Sequence, residues 1–185
     1  MKLNIGSGYK KIPGFLNLDS SPECNPDFLV DLEKDIFPFE DSSVDEVLAN
    51  HVLEHLGQGF FHCMRELYRV CSDGAIIQVA VPHPRHDTFL MDPTHRRPIY
   101  PHTLRMFSRK RNMEQILTNG NETPIGIINK VDFEVIAERI NLDPYYEEMF
   151  KTIPEDQQNH ILRSFNNVSD TIDIILKVVK DESIS

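Results

Sequence analysis

Two glycines, five carboxylates and a group of histidines are the residues of this chain whose types and spacing bear on chemistry. Gly6 and Gly8, with Ser7 between them, follow the apolar run Leu3-Asn4-Ile5. Glycine lets backbone approach a ligand with no Cβ in the way and takes positive φ at little cost. Asp19 closes a second apolar run and offers two acceptor oxygens, enough for both hydroxyls of a ribose. Asp31 closes a third, placed to accept from an exocyclic adenine amine, with the backbone N–H of Leu32 left for a ring nitrogen. Asn50 and His51 close a fourth, beside where the amino-acid portion of such a cofactor would lie.

The histidines raise a second chemistry. His51-Val52-Leu53-Glu54-His55 matches the H-x-x-E-H pattern of one class of zinc peptidases, in which two helical histidines bind metal and the glutamate is the base. A five-residue pattern arises easily by chance, and His51 falls at a strand-to-helix junction rather than inside a long helix. Further on, His83, His86, Asp87, Asp92, His95 and His102 crowd a proline-rich stretch; they are of types that ligate metals or move protons. That stretch reads as a proline-stiffened lid lining a substrate, and no metal is assigned to it.

These residues need elements to hold them. Leu3–Ile5, Phe15–Leu18, Phe28–Val30 and Val44–Ala49 read as short buried strands, each ending on a polar residue. Phe60, Cys63, Met64, Leu67, Val70 and Cys71 keep helical spacing, and Ser72-Asp73-Gly74 is the expected stop before a fifth strand, Ala75–Val81. The expected fold is therefore α/β, a mostly parallel sheet with helices on both faces. A loop over 82–103 and a helical insertion over 141–165 interrupt it. Phe133–Ile140 and Ile172–Val179 are expected to pair antiparallel, which makes the last strand the antiparallel one. The first crossover, Tyr9–Lys11 and its flanks, has room for only one or two helical turns.

Composition narrows the function classes. At 185 residues one domain covering 1–185 is the default. No apolar run approaches membrane-spanning length and the N-terminus lacks a secretion-signal layout, so a cytoplasmic protein without a membrane partner is expected. The net charge of -10 argues against a nucleic-acid partner. The one basic stretch, Arg105 to Arg111, reads as a solvated helix face. Cys24, Cys63 and Cys71 lack CxxC spacing and read as reduced thiols. A nicotinamide-binding domain fits poorly, since Lys11 occupies the third position of G-x-G-x-x-G and Asp19 follows the glycines too soon.

In combination, Leu3–Gly8, Ile12–Asp19, Phe37–Asp45 and His51-Val52-Leu53-Glu54-His55-Leu56 resemble the class I methyltransferases. More narrowly they are similar to small bacterial and phage members with an abbreviated first crossover, and Asp92-Pro93-Thr94-His95-Arg96-Arg97-Pro98 is similar to a loop after strand five of that group. The likeness spans roughly residues 2–108. The resemblance implies a Rossmann-like methyltransferase fold and S-adenosylmethionine as cofactor, with S-adenosylhomocysteine as product. It implies that Gly6, Ser7 and Gly8 meet the methionyl part, Asp19 the ribose, Asp31 and Leu32 the adenine, and Asn50 and His51 the sulfonium side. The expected reaction is methyl transfer to an O or N atom of a small-molecule or glycan acceptor, with His95 oriented by Asp92 as base and His51 the second choice. Two alternatives stay open: a catalytically silent S-adenosylmethionine-binding partner module, and an H-x-x-E-H zinc hydrolase. Oligomeric state is not legible.

Overall fold

The computed structural model describes residues 1–180; the last part of the expected 1–185 domain, residues 181–185, lies outside the described residues. One seven-stranded sheet organises the chain, in the order β3-β2-β1-β4-β5-β7-β6. Its strands are β1 (Lys2–Ile5), β2 (Leu16–Asp19), β3 (Phe28–Leu29), β4 (Val44–Asn50), β5 (Cys71–Pro82), β6 (Phe133–Leu142) and β7 (Ser169–Val178). The pairs among β1 to β5 are parallel, and β7 runs antiparallel to both β5 and β6. The fold class is thus the expected one, with the expected antiparallel last strand.

Period-2 patterning sets which face is dry. Leu3, Ile5, Leu18, Val47, Ala49, Ile77, Val79, Ile174 and Leu176 are all buried on one face. The helix α1 (Phe60–Val70) packs there through Phe60, Cys63, Met64 and Leu67. It is followed by α2 (Asp87–Leu90), α3 (Pro101–Arg105), α4 (Arg109–Leu117) and α5 (Ile125–Asn129), while α6 (Pro144–Phe150) and α7 (Glu155–Ser164) form the expected insertion between β6 and β7.

The opposite face departs from expectation in one respect, its helical cover. Among the described residues, no helix longer than the 3-10 turn Pro22–Cys24 lies between β1 and β4. Lys2, Gln78, Asp173 and Lys177 accordingly stay exposed on that side. The cause is chain length: Gly6–Phe15 closes the first crossover as a turn, held by Asn4 Nδ2 donating to the Lys10 carbonyl and to Asn17 Oδ1 at 3.0 and 2.9 Å. A second departure concerns Ser72-Asp73-Gly74, which is the irregular start of β5 rather than a helix stop, since the strand begins at Cys71 directly after α1. Ser72 Oγ donates to the Val44 carbonyl, and Gly74 takes φ 77°.

The loop leaving β3 is pinned to α1 by one clasp. Glu66 accepts the Phe37 N–H at 2.8 Å and pairs with Arg69 at 2.7 Å, while Arg69 donates to the Phe37 and Phe39 carbonyls. Burial pushes the Glu66 carboxyl up, but hydrogen bonds from Arg69 and the Phe37 N–H outweigh it and hold the pKa below the ordinary value. A depressed carboxylate stabilises the fold above its unfolded pKa, and the contribution is lost as pH falls through the folded value. Glu66→Ala should cost about 2 kcal/mol at neutral pH. Denaturant melts followed into the acid range should show that the variant loses less stability than the wild type as Glu66 protonates.

Candidate functional site

Strand order reverses between β1 and β4, where connections lead off in opposite directions and leave a crevice beyond the strand ends. A cleft of about 330 Å³ opens there, lined by Gly6, Asp19, Asp31, Leu32, His51, Val52 and His55 among others. Five residues expected at a cofactor site from separate stretches of sequence, Gly6, Asp19, Asp31, Leu32 and His51, therefore meet on one rim.

Each is held by local structure. Gly6 takes φ 56°, and a Cβ built on it would collide with Val52 Cγ2, so the position accepts only glycine. Asp19 Oδ2 accepts the Gly8 N–H at 2.8 Å and Oδ1 the Ser21 N–H at 2.9 Å. Each oxygen keeps a second lone pair for a ligand hydroxyl. Asp31 accepts from Lys34 Nζ at 2.7 Å and from the Glu33 N–H at 3.0 Å, and the lysine hydrogen bond holds its pKa low. His51 sits in left-handed backbone at φ 54°, its N–H donating to the Ala80 carbonyl at 2.8 Å. That twist turns the imidazole, 47% exposed, into the cleft, with Nδ1 3.3 Å from Glu54 Oε1. The glutamate raises the histidine's pKa.

Other expected residues stand elsewhere. Ser7 is buried, its N–H on the Leu18 carbonyl, and the Gly8 N–H is taken by Asp19, so neither lines the cleft. Asn50 points to the open sheet face, beside Leu48, Gln78 and Ala80, because it is in phase with Leu48 and out of phase with the buried Val47 and Ala49. His95 also lies off the cleft, with an 8% exposed side chain; its Nδ1 donates to the Phe89 carbonyl at 2.8 Å, and its ring stacks on Phe89. Asp92 accepts from Thr94 Oγ1 and stands 3.8 Å from His95 Nε2.

Residues that sequence reasoning passed over include Glu33, whose Oε1 accepts the Gly57 and Gly59 N–H groups, and Ser20 and Leu56 on the cleft wall. Gly57 and Gly59 within three positions were the only sequence sign of backbone N–H groups left for a carboxylate there. Two cations of the basic stretch are committed to ion pairs, Arg105 with Glu138 and Arg111 with Glu122. Arg97 lies over the Phe60 ring. All three cysteines are free.

The H-x-x-E-H segment does not build a peptidase centre. Leu53–His55 is a single 3-10 turn preceded by left-handed His51, so His51 and His55 do not share an α-helical face. Among the described residues, the side chains whose ligand atoms do converge, within 4.8 Å of one another, are Glu54, His55 and His95.

The methyltransferase-domain family matches residues 17–79, roughly a third of the chain. The fold is similar to that of an S-adenosylmethionine-dependent methyltransferase from Archaeoglobus fulgidus, with 21% identity, TM-score 0.58, and 95% of this chain and 85% of that one covered. It is also similar to a putative S-adenosylmethionine-dependent methyltransferase from Listeria monocytogenes, at 12% identity and TM-score 0.53, covering 97% and 91%. A third likeness is to phosphoethanolamine N-methyltransferase 2 of Haemonchus contortus in complex with S-adenosyl-L-methionine, at 12% identity and TM-score 0.54, covering 97% of this chain and 48% of that one. No curated protein matches the chain by sequence.

Proposed function

We infer that this chain, a class I S-adenosylmethionine-dependent methyltransferase by its fold and its methyltransferase-domain match, transfers the sulfonium methyl to a hydroxyl or amine of a small-molecule or glycan-type acceptor. One observation carries the reading: Gly6, Asp19, Asp31, Leu32 and His51 line a single cleft at the point where strand order reverses. Asp19 would hold the ribose, Asp31 and Leu32 the adenine, and the Gly6 backbone the methionyl end. The narrower bacterial and phage type belongs to the same proposal, as does treatment of the chain as one methyltransferase domain with the 82–103 loop as its lid.

Methyl transfer needs little from the protein beyond geometry, because the sulfonium is already activated. When bound, S-adenosylmethionine would supply an electrophilic methyl with S-adenosylhomocysteine as the leaving group, and the acceptor's proton would pass to His51 or to solvent. Holding the two partners in a near-attack arrangement is the larger part of catalysis. His51 is the side chain suited to receive a hydrogen bond from the attacking group, since it lines the cleft while its Nδ1 stands 3.3 Å from Glu54 Oε1. His95 is too enclosed for that contact.

A neighbouring cleft lined by Lys34, His55, His62 and Arg96 supports a polar or acidic acceptor. The net charge of -10 speaks against a nucleic acid. No helix of the described residues is long and apolar enough to cross a membrane.

The test is S-adenosylhomocysteine release from S-adenosylmethionine across a panel of small hydroxyl, amine and saccharide acceptors. His51→Ala should lower turnover about 100-fold on the acceptor found, while leaving the Kd for cofactor within a few-fold. Tight cofactor binding with no product from any acceptor would favour a silent binding module instead.

A further inference from the structure

We propose that Glu54, His55 and His95 form a binding site for a divalent transition-metal ion beside the cofactor cleft. Their ligand atoms lie within 4.8 Å of one another. Ligands sharing one zinc-sized ion sit roughly 3 to 4 Å apart, given bonds of about 2 Å. The cluster therefore needs to draw in by at most roughly one to two ångström.

The chemistry of each group points the same way. Glu54 is completely buried, and neither carboxylate oxygen has a partner in hydrogen-bonding geometry. His51 stands 3.3 Å from Oε1 but does not complete such a bond. A buried carboxylate without a partner is costly, by several kcal/mol, and a bound cation removes that cost.

The two imidazoles are held in the state a metal requires. His95 Nδ1 donates to the Phe89 carbonyl at 2.8 Å, which leaves Nε2 with its lone pair. His55 Nδ1 is 2.9 Å from Thr94 Oγ1, and that hydroxyl donates to Asp92 Oδ1 at 2.6 Å. With its proton spent on Asp92, Thr94 can only accept from His55, so His55 Nε2 is also bare. A carbonyl or carboxylate chain behind each histidine is the usual support of a metal ligand, because it sets ring orientation and tautomer. The 92–95 turn thus does more than cover a substrate: Asp92 acts through Thr94 on His55, while His95 arrives from the same turn to meet Glu54. Two further bonds hold that meeting in place, from the Arg96 and Arg97 N–H groups to the Glu54 carbonyl at 2.8 and 3.1 Å.

Two imidazoles and one carboxylate suit zinc, manganese, iron or cobalt better than magnesium or calcium. Three protein ligands leave at least one position open. His55 lines both the cofactor cleft and the Arg96 cleft, which puts the open position within reach of the acceptor side. There an ion could bind an acceptor oxygen and favour loss of its proton to solvent before attack. That last role rests on the methyltransferase reading; metal binding itself does not.

Purified full-length chain, stripped with chelator, should take up one equivalent of zinc by calorimetry. With cobalt(II) it should develop visible absorption bands, measuring coordination by the ion itself. Glu54→Gln and His95→Ala should each weaken zinc binding at least ~100-fold, with melting curves confirming that they fold. Asp19→Ala should keep the full equivalent of metal while losing cofactor, so failure of this site and failure of the cofactor site read separately. No zinc uptake by the wild type, or equal affinity in Glu54→Gln, overturns the proposal. Should the variants not fold, the wild-type cobalt spectrum decides alone: bands show the site, and their absence refutes it.

Discussion

Asp19→Ala is expected to weaken S-adenosylhomocysteine binding by at least ~100-fold, measured by titration calorimetry. Two ligand hydroxyls would lose a charged acceptor, and hydrogen bonds to charged groups are worth about 1.5 to 3 kcal/mol each, against about 1.4 kcal/mol per tenfold in affinity. The same side chain holds the Gly8 and Ser21 N–H groups, so its removal also loosens both walls of the cleft. Asp19→Asn separates the two effects. Its amide retains one acceptor oxygen for the loop and loses the charge, and should fall between wild type and alanine. Unchanged affinity in the alanine variant would remove Asp19 from the cofactor site.

Gly6→Ala is expected to be nearly as severe through backbone alone. The added methyl meets Val52 Cγ2, and the residue must keep φ near 56°, a region that costs an L-residue about 1 to 2 kcal/mol. Collision in a packed site adds about 1 to 3 kcal/mol. The chain will escape by moving Gly6 away from Val52, and both residues line the cleft. Cofactor affinity should drop more than tenfold and the melting temperature should fall by several degrees. The double variant Gly6→Ala with Val52→Ala should regain part of the stability, because the collision is gone, yet little of the affinity, because the backbone strain remains. Equal recovery of both would assign the whole effect to Val52. Gly8 offers the contrast: a Cβ there meets nothing, although its φ of 50° keeps a smaller penalty.

Much of the fold was legible because its signals are local. Phe60 to Val70 keeps one apolar stripe, so helical period alone assigned it, and Val44 to Ala49 read as a strand from its apolar content and the turn residues Glu40-Asp41-Ser42-Ser43 before it. The irregular start of β5 was not legible. Ser72-Asp73-Gly74 has turn chemistry, and only the pairing of Cys71 with Val44, with Ser72 Oγ donating to the Val44 carbonyl, draws it into the strand. The second face was legible in part: the short first crossover left room for only one or two helical turns, and the structure closes it between β1 and β2 with no helix.

The sequence by itself determined which residues could hold an adenosyl group, because a glycine or an aspartate at the end of a strand is bound by topology to the same rim. Tertiary structure decided which of them face that rim. Ser7 and Asn50 lie next in sequence to Gly6 and His51, yet each turns away, since a strand end changes face with every residue and the turn that follows can reverse it. It decided as well that His95 meets Glu54 and His55 across forty residues of chain instead of lining the cofactor cleft. Encounters of that kind depend on how a loop packs back on the sheet, which no local pattern encodes.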